Sequence, residues 1–178
     1  MATIAPRSDR GIWKKALVTV PALVVAGSLF AFVARSGFDN PWYAALKMPS
    51  FQPPGWVFGA VWTTLYTLMG LSLASLLNEP SSKQRTTALA LFGVQMLLNL
   101  AWSPVFFSGH YIDAAFLIIL AMDVLVTMTI VAAYKVRPLA GALLLPYLAW
   151  LCLATALNHE TGRLNPGADA APLGLTKG

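Results

Sequence analysis

Five long stretches of the chain are dominated by apolar residues, at residues 14–34, 56–77, 87–107, 113–134 and 138–158, and most of the charged residues fall between them. Each is close to the ~20 residues that cross a hydrocarbon core at 1.5 Å rise per residue. At that depth backbone groups find no water, so lipid-facing strands and loops are excluded and helices remain. The pattern predicts an all-α membrane protein, a five-transmembrane-helix bundle forming a single domain over residues 1–178, with residues 159–178 as a polar, flexible tail. Pro21, Pro104 and Pro146 fall inside the runs, where neighbouring helices can satisfy the freed carbonyls, so kinks are expected rather than breaks. The first run follows Arg7, Arg10, Lys14 and Lys15 as a secretory signal would. It exceeds the usual h-region, however, and bulky Phe32 stands where a cleavage site after Ala34 needs a small residue, so it is expected to span and stay.

One connection is unlike the others. The 21 residues from Arg35 to Gly55 contain four prolines and no sustained helical period. Loops of that length in compact domains are lids, binding loops or disorder. Phe38, Trp42, Tyr43, Leu46, Met48 and Phe51 make this one too apolar for a solvated linker. A Trp- and Pro-rich lid lying on the helix ends, between the first and second spans, is the expectation.

Composition agrees with the pattern: 57% of residues are hydrophobic and 11% charged, and mean hydropathy is +0.66. The net charge of +5 forms no basic stripe and predicts no nucleic-acid partner. It acts instead as a topology signal. Arg7, Arg10, Lys14, Lys15, Lys83, Arg85, Lys135 and Arg137 lie on the side of the N-terminus, against Arg35, Lys47, Arg163 and Lys177 opposite, which places the N-terminus in the cytoplasm. Cys152 has no partner in its own chain.

With five spans, the lid must meet the start of the second helix, the end of the third, the start of the fourth and the end of the fifth. Counting from those ends puts Trp62, Trp102 and Trp150 roughly 8 to 12 Å below the lid, in one layer. Helical spacing aligns Trp62, Tyr66 and Met69 on the second span, Gln95, Asn99, Trp102 and Phe106 on the third, and Tyr147, Trp150, Ala154 and Asn158 on the fifth. Asp123 and Thr127 share a face of the fourth, with Asp123 near mid-membrane. A carboxylate there costs at least ~2.5–3.5 kcal/mol on insertion scales, so it is expected to face the bundle and bond to Thr127 or a neighbouring helix. Indoles can instead form interfacial belts, the expectation for Trp13 and Trp56, and Gln95 and Asn99 can be interhelical glue without any ligand. A long apolar lid over three indoles and several amide and hydroxyl groups favours a pocket for a flat aromatic ligand. His110 and His159 stand alone at helix ends, and the sequence offers neither a metal cluster nor a dinucleotide or phosphate glycine motif. No metal and no bound cofactor are expected.

The stretches WYAALKMPSFQPPGWVFGAVWTTLYTLM (Trp42 to Met69), QMLLNLAWSPVFF (Gln95 to Phe107), AMDVLV around Asp123 and LLLPYLAWLCLATALN (Leu143 to Asn158) closely resemble the TspO/translocator-protein family. These are the tryptophan-rich sensory proteins or peripheral benzodiazepine receptors. The resemblance implies a five-helix receptor or sensor, usually a homodimer, whose pocket under the first loop binds protoporphyrin and haem-like tetrapyrroles as ligand. Tyr43, Trp62, Gln95, Asn99, Trp102, Trp150 and Ala154 match the lining of that pocket, and helical spacing adds Tyr66, Phe106, Asp123 and Tyr147. Transport of tetrapyrrole or sterol is the alternative reading. A further one is light- and oxygen-dependent porphyrin breakdown, for which Trp62 and Trp150 match the implicated indoles. The animal sterol motif needs a tyrosine where Leu157–Arg163 carries His159, so the likeness does not extend to that site. Val131, Tyr134 and Arg137 satisfy the sterol motif only formally. A bacterial membrane is the expected location, with a mitochondrial outer membrane the alternative.

Overall fold

The structure, a computed structural model, describes residues 10–170. Five helices long and apolar enough to cross a membrane run over Arg10–Val33, Gly55–Asn78, Lys83–Ser108, Ile112–Val136 and Pro138–Leu164. Among the described residues there is no strand. The all-α, five-span expectation is met. Arg7 and Lys177, two of the charges used to orient the chain, lie outside the described residues.

Helix α1 (Arg10–Val33) passes through Pro21 without a break. A short helix α2 (Pro41–Ala45) lies within the lid, a turn of order in a segment whose sequence shows no helical period. Its cause is local: Asn40 is an N-cap whose side chain accepts from the backbone N–H groups of Trp42 and Tyr43, and Pro41 occupies the first helical position, where its missing N–H costs nothing. Helices α3 (Gly55–Asn78) and α4 (Lys83–Ser103) follow, the latter capped by Ser82, which accepts from the Arg85 N–H.

Pro104 does not kink the third span in the usual sense. It opens a π-turn over Pro104–Ser108 that continues α4, closed by the Gly109 N–H on the Pro104 carbonyl at 2.9 Å. The wider turn lets the adjacent Phe106 and Phe107 both face inward, at 3% and 7% exposure. Pro146 differs more sharply from expectation. The fifth span is interrupted at Leu143–Leu144, between α6 (Pro138–Ala142) and α7 (Leu145–Leu164), and Pro146 lies in the first turn of α7. A proline that starts a helix sacrifices no hydrogen bond.

Packing follows small residues and polar anchors. Helix α1 lies against α3, where the Thr19 hydroxyl donates to the Gly70 carbonyl at 2.7 Å and the Lys15 ammonium to the Asn78 side chain at 2.9 Å. Helix α5 (Ile112–Val136) packs against α4, α6 and α7. At the end away from the lid, Arg137 bridges to Glu79 at 3.2 Å, and the Ser72 hydroxyl donates to the Ala140 carbonyl at 2.7 Å. Together these tie α3 to the α5–α6 turn.

The last helix extends to Leu164, six residues beyond its expected end, so the tail does not begin at residue 159. Residues 165–170 are also held. Asn165 accepts from the Lys47 N–H at 2.8 Å and donates to the Lys47 carbonyl at 2.9 Å, pairing with the lid as a strand residue would. The Ala170 N–H donates to the His110 carbonyl. Residues 171–178, the remainder of the tail, lie outside the described residues.

Candidate functional site

Two aromatic layers fill the lid end of the bundle, one beneath the other. In the upper one Tyr43 of the lid is buried against Phe106 and Phe107, with ring centroids at 6.0 and 5.0 Å in edge-on geometry. Its hydroxyl accepts from the Gln52 amide at 3.0 Å. The lid is pinned to this floor by Asn40, whose amide donates to the Phe107 carbonyl at 2.9 Å. Trp42 sits between Phe106, 5.4 Å away edge-on, and His110, stacked at 4.4 Å.

Burial raises the Tyr43 phenol above its ordinary value near 10, and the Gln52 hydrogen bond offsets part of that rise. A phenol that the fold keeps protonated contributes its full share of stability below pH ~10, and that share is lost as pH climbs through the raised folded-state value. Alkaline titration should therefore release the lid cooperatively with Tyr43 ionisation, seen as tyrosinate absorbance rising together with proteolytic cleavage in residues 35–54. In Tyr43→Phe the cleavage should become independent of pH in that range.

The lower layer centres on a chain of hydrogen bonds between three helices. Tyr66 of α3 donates to the Asn99 side-chain oxygen, Oδ1, at 2.8 Å. The Asn99 amide donates to the Tyr147 hydroxyl of α7 at 2.8 Å, and that hydroxyl donates onward to the Met122 sulfur at 3.7 Å. Trp62 leans on both phenols, 5.3 Å from Tyr66 and 6.1 Å from Tyr147. Trp150 pairs with Phe58 at 5.6 Å, and Ala154 packs against the same core. Trp102 belongs to both layers: it packs on the lower core and stacks on Phe106 at 4.9 Å.

The residues expected on the inner faces thus converge, though not as a single layer of three indoles. Trp62, Tyr66, Asn99 and Tyr147 make one connected group. Tyr43 and Phe106 make another above it, and Trp102 joins the two. Asp123 does face the bundle, but its side-chain partner is Thr155 of α7, whose hydroxyl donates to Asp123 Oδ2 at 2.7 Å. The Thr127 hydroxyl donates instead to the Asp123 backbone carbonyl. Phe107, Phe58, Gln52 and Thr155 also border the group and were not singled out by spacing. Asn40–Pro41 carried a legible signal, an N-cap followed by proline, that marks α2.

Several polar atoms in this region are buried and unpaired. Gln95 is 1% exposed, and neither its amide nitrogen nor its oxygen has a partner among the described residues; the same is true of Trp102 Nε1 and Asp123 Oδ1. Gln95 lies one turn from Asn99 and two turns from Trp102 on α4. An orphaned buried amide costs roughly 1–3 kcal/mol for each group left unmade, and native structures keep few of them.

A five-span bundle whose interior is walled by indoles and phenols, supplied with amides, and closed at one end by its own first loop defines a multi-pass integral membrane protein. Residues 17–164 match the model of the TspO/MBR family. The chain is 40% identical over 155 residues to the Translocator protein of Homo sapiens, covering 83% of this chain and 92% of that protein. It is 39% identical over 149 residues to the Tryptophan-rich protein TspO of Archaeoglobus fulgidus, covering 84% and 94%. The Tryptophan-rich sensory protein of Cereibacter sphaeroides is 39% identical over 126 residues, covering 71% and 78%. The chain belongs to the TspO/MBR family, and is a membrane receptor, sensor or translocator of that kind.

Proposed function

We propose that the protein is a receptor that binds porphyrins, protoporphyrin and haem-like tetrapyrroles, in the interior beneath its first loop. The observation that carries this reading is the set of orphaned donors and acceptors on α4. Gln95 Nε2 and Oε1 and Trp102 Nε1 are buried without partners among the described residues, in a region whose other walls are aromatic. A flat macrocycle with an apolar rim and polar substituents satisfies both at once: its faces stack on Trp62 and Trp150, and its polar atoms take the hydrogen bonds that Gln95 leaves open. Entry requires the lid to move, because Tyr43, Phe106 and Phe107 pack directly on one another.

Titrating protoporphyrin against tryptophan fluorescence in detergent should give saturable quenching. Replacing both Trp62 and Trp150 by leucine should weaken binding about tenfold or more, since each lost aromatic pair removes ~0.5–1.5 kcal/mol beyond its area. Binding followed by porphyrin absorbance and left unchanged in that double variant rejects the site.

A further inference from the structure

A second cleft lies outside the aromatic layers. It has a volume of about 220 Å³, is open on one side, and is lined by Asp113 and Phe116 at the start of α5 and by Asn158, His159, Gly162 and Arg163 at the end of α7. Asn158 is 4% exposed. Its amide nitrogen donates to the Ile112 carbonyl at 3.0 Å, which holds the side chain in place, and its Oδ1 is buried without a partner among the described residues. That oxygen accepts and cannot donate, so whatever satisfies it must bring an N–H or O–H.

The charges around it narrow the choice. The Asp113 carboxylate makes no ion pair or hydrogen bond among the described residues; only its backbone N–H is engaged, with Asp169. Arg163 is held by Glu160 through two N–H groups, at 2.8 and 2.6 Å. The guanidinium keeps further N–H groups for an anion, since it carries five in all. The arrangement presents a carboxylate and a carbonyl for a cationic donor, with a guanidinium beside them for a phosphate.

What lies below the cleft points to a lipid. Leu117, Leu120 and Val124 continue down α5 from Asp113 at helical spacing and are all exposed. Cys152 and Ala156 of α7 are exposed in the same direction from His159. In a bilayer this is a track for an acyl chain, ending at a polar cleft near the level where the apolar run of the fifth span stops.

We infer that this cleft is a binding site for the headgroup of a primary-amine phospholipid. The ammonium donates to Asn158 Oδ1 and Asp113, the phosphate meets Arg163, and a chain lies along Leu117, Leu120 and Val124. A quaternary ammonium has no N–H for Asn158, so the site discriminates by donor count as well as by charge.

The test is native mass spectrometry of the full chain after reconstitution in equimolar phosphatidylethanolamine, its mono- and dimethylated forms, phosphatidylcholine and phosphatidylglycerol. Retention should fall as N–H donors are removed, with phosphatidylethanolamine favoured over phosphatidylcholine by about tenfold, the factor carried by one charge-assisted hydrogen bond. Asp113→Asn should remove most of that preference. Gly162→Leu, which fills the cleft from a position whose added Cβ already meets Ile112 at 3.3 Å, should abolish it. Equal retention of the two lipids, or a preference unaltered in both variants, overturns the site. Displacement of the lipid by glycerophosphoethanolamine at comparable concentration overturns its assignment to a lipid in favour of a soluble amine. Far-UV circular dichroism and thermal unfolding serve as the folding controls, since the Gly162 position borders Ile112, which packs in the same cluster as Tyr43 and Phe106.

Discussion

Asn99→Ala is expected to destabilise the bundle by about 3 kcal/mol and to weaken porphyrin binding in the same stroke. Asn99 links Tyr66 to Tyr147 in the lower layer, accepting from one phenol and donating to the other at 2.8 Å each. Alanine removes both bonds and leaves a buried hydroxyl on each side. Each unsatisfied group costs ~1–3 kcal/mol in water-soluble proteins, and membrane helices sit toward the low end because their unfolded state also finds partners. Tyr147 is fully buried and has Met122 as its other contact, so it cannot recover through water. Thermal unfolding in detergent measures the loss. A double-mutant cycle with Tyr147→Phe separates the bond from the cavity: strong coupling between the two replacements is expected, and additivity to within ~0.5 kcal/mol means the network contributes nothing as a unit.

Gly70→Val should have an effect of similar size by a different route. A Cβ at Gly70 would lie 2.6 Å from the Val20 Cα and 2.9 Å from its backbone nitrogen. These are backbone atoms that no rotamer change can move, so α1 must retreat as a body. The retreat also breaks the Thr19 to Gly70 hydrogen bond. Overpacking of this kind costs ~1–3 kcal/mol, and the upper end is expected here. Further along the same contact, Gly27 lies against the Tyr66 ring with no room for a Cβ, so moving α1 also frees Tyr66 from its place beside Trp62. Reduced thermal stability with reduced porphyrin quenching is the expected result. Gly59→Val, where an added Cβ meets nothing within 4 Å, should change neither.

The number of spans, their order and the presence of a lid were legible because they depend on properties that add along the chain. Apolar length measures the bilayer, and spacing at 3.6 residues per turn assigns faces. That is why Gln95, Asn99, Trp102 and Phe106 share one face of the third span, and Trp62 and Tyr66 one face of α3. The three prolines show the limit. Pro21 is carried within a helix, Pro104 opens a π-turn and Pro146 opens a helix. The difference lies in where the helices start and end within each span, which the apolar run alone does not mark.

The same boundary runs through the site. Sequence alone determined that this is a five-span membrane protein with aromatic and amide side chains near one face, because hydrophobic length and helical period are local quantities. Only the tertiary structure decided which of those side chains pair. It joined Asn99 to two phenols while leaving Gln95, one turn away, without a partner among the described residues, gave Asp123 to Thr155 rather than Thr127, and stitched the lid to Asn165 beyond the last helix. A hydrogen bond is settled within about 3 Å, and the offsets between packed helices that bring two groups to that distance are set by side chains from several spans at once.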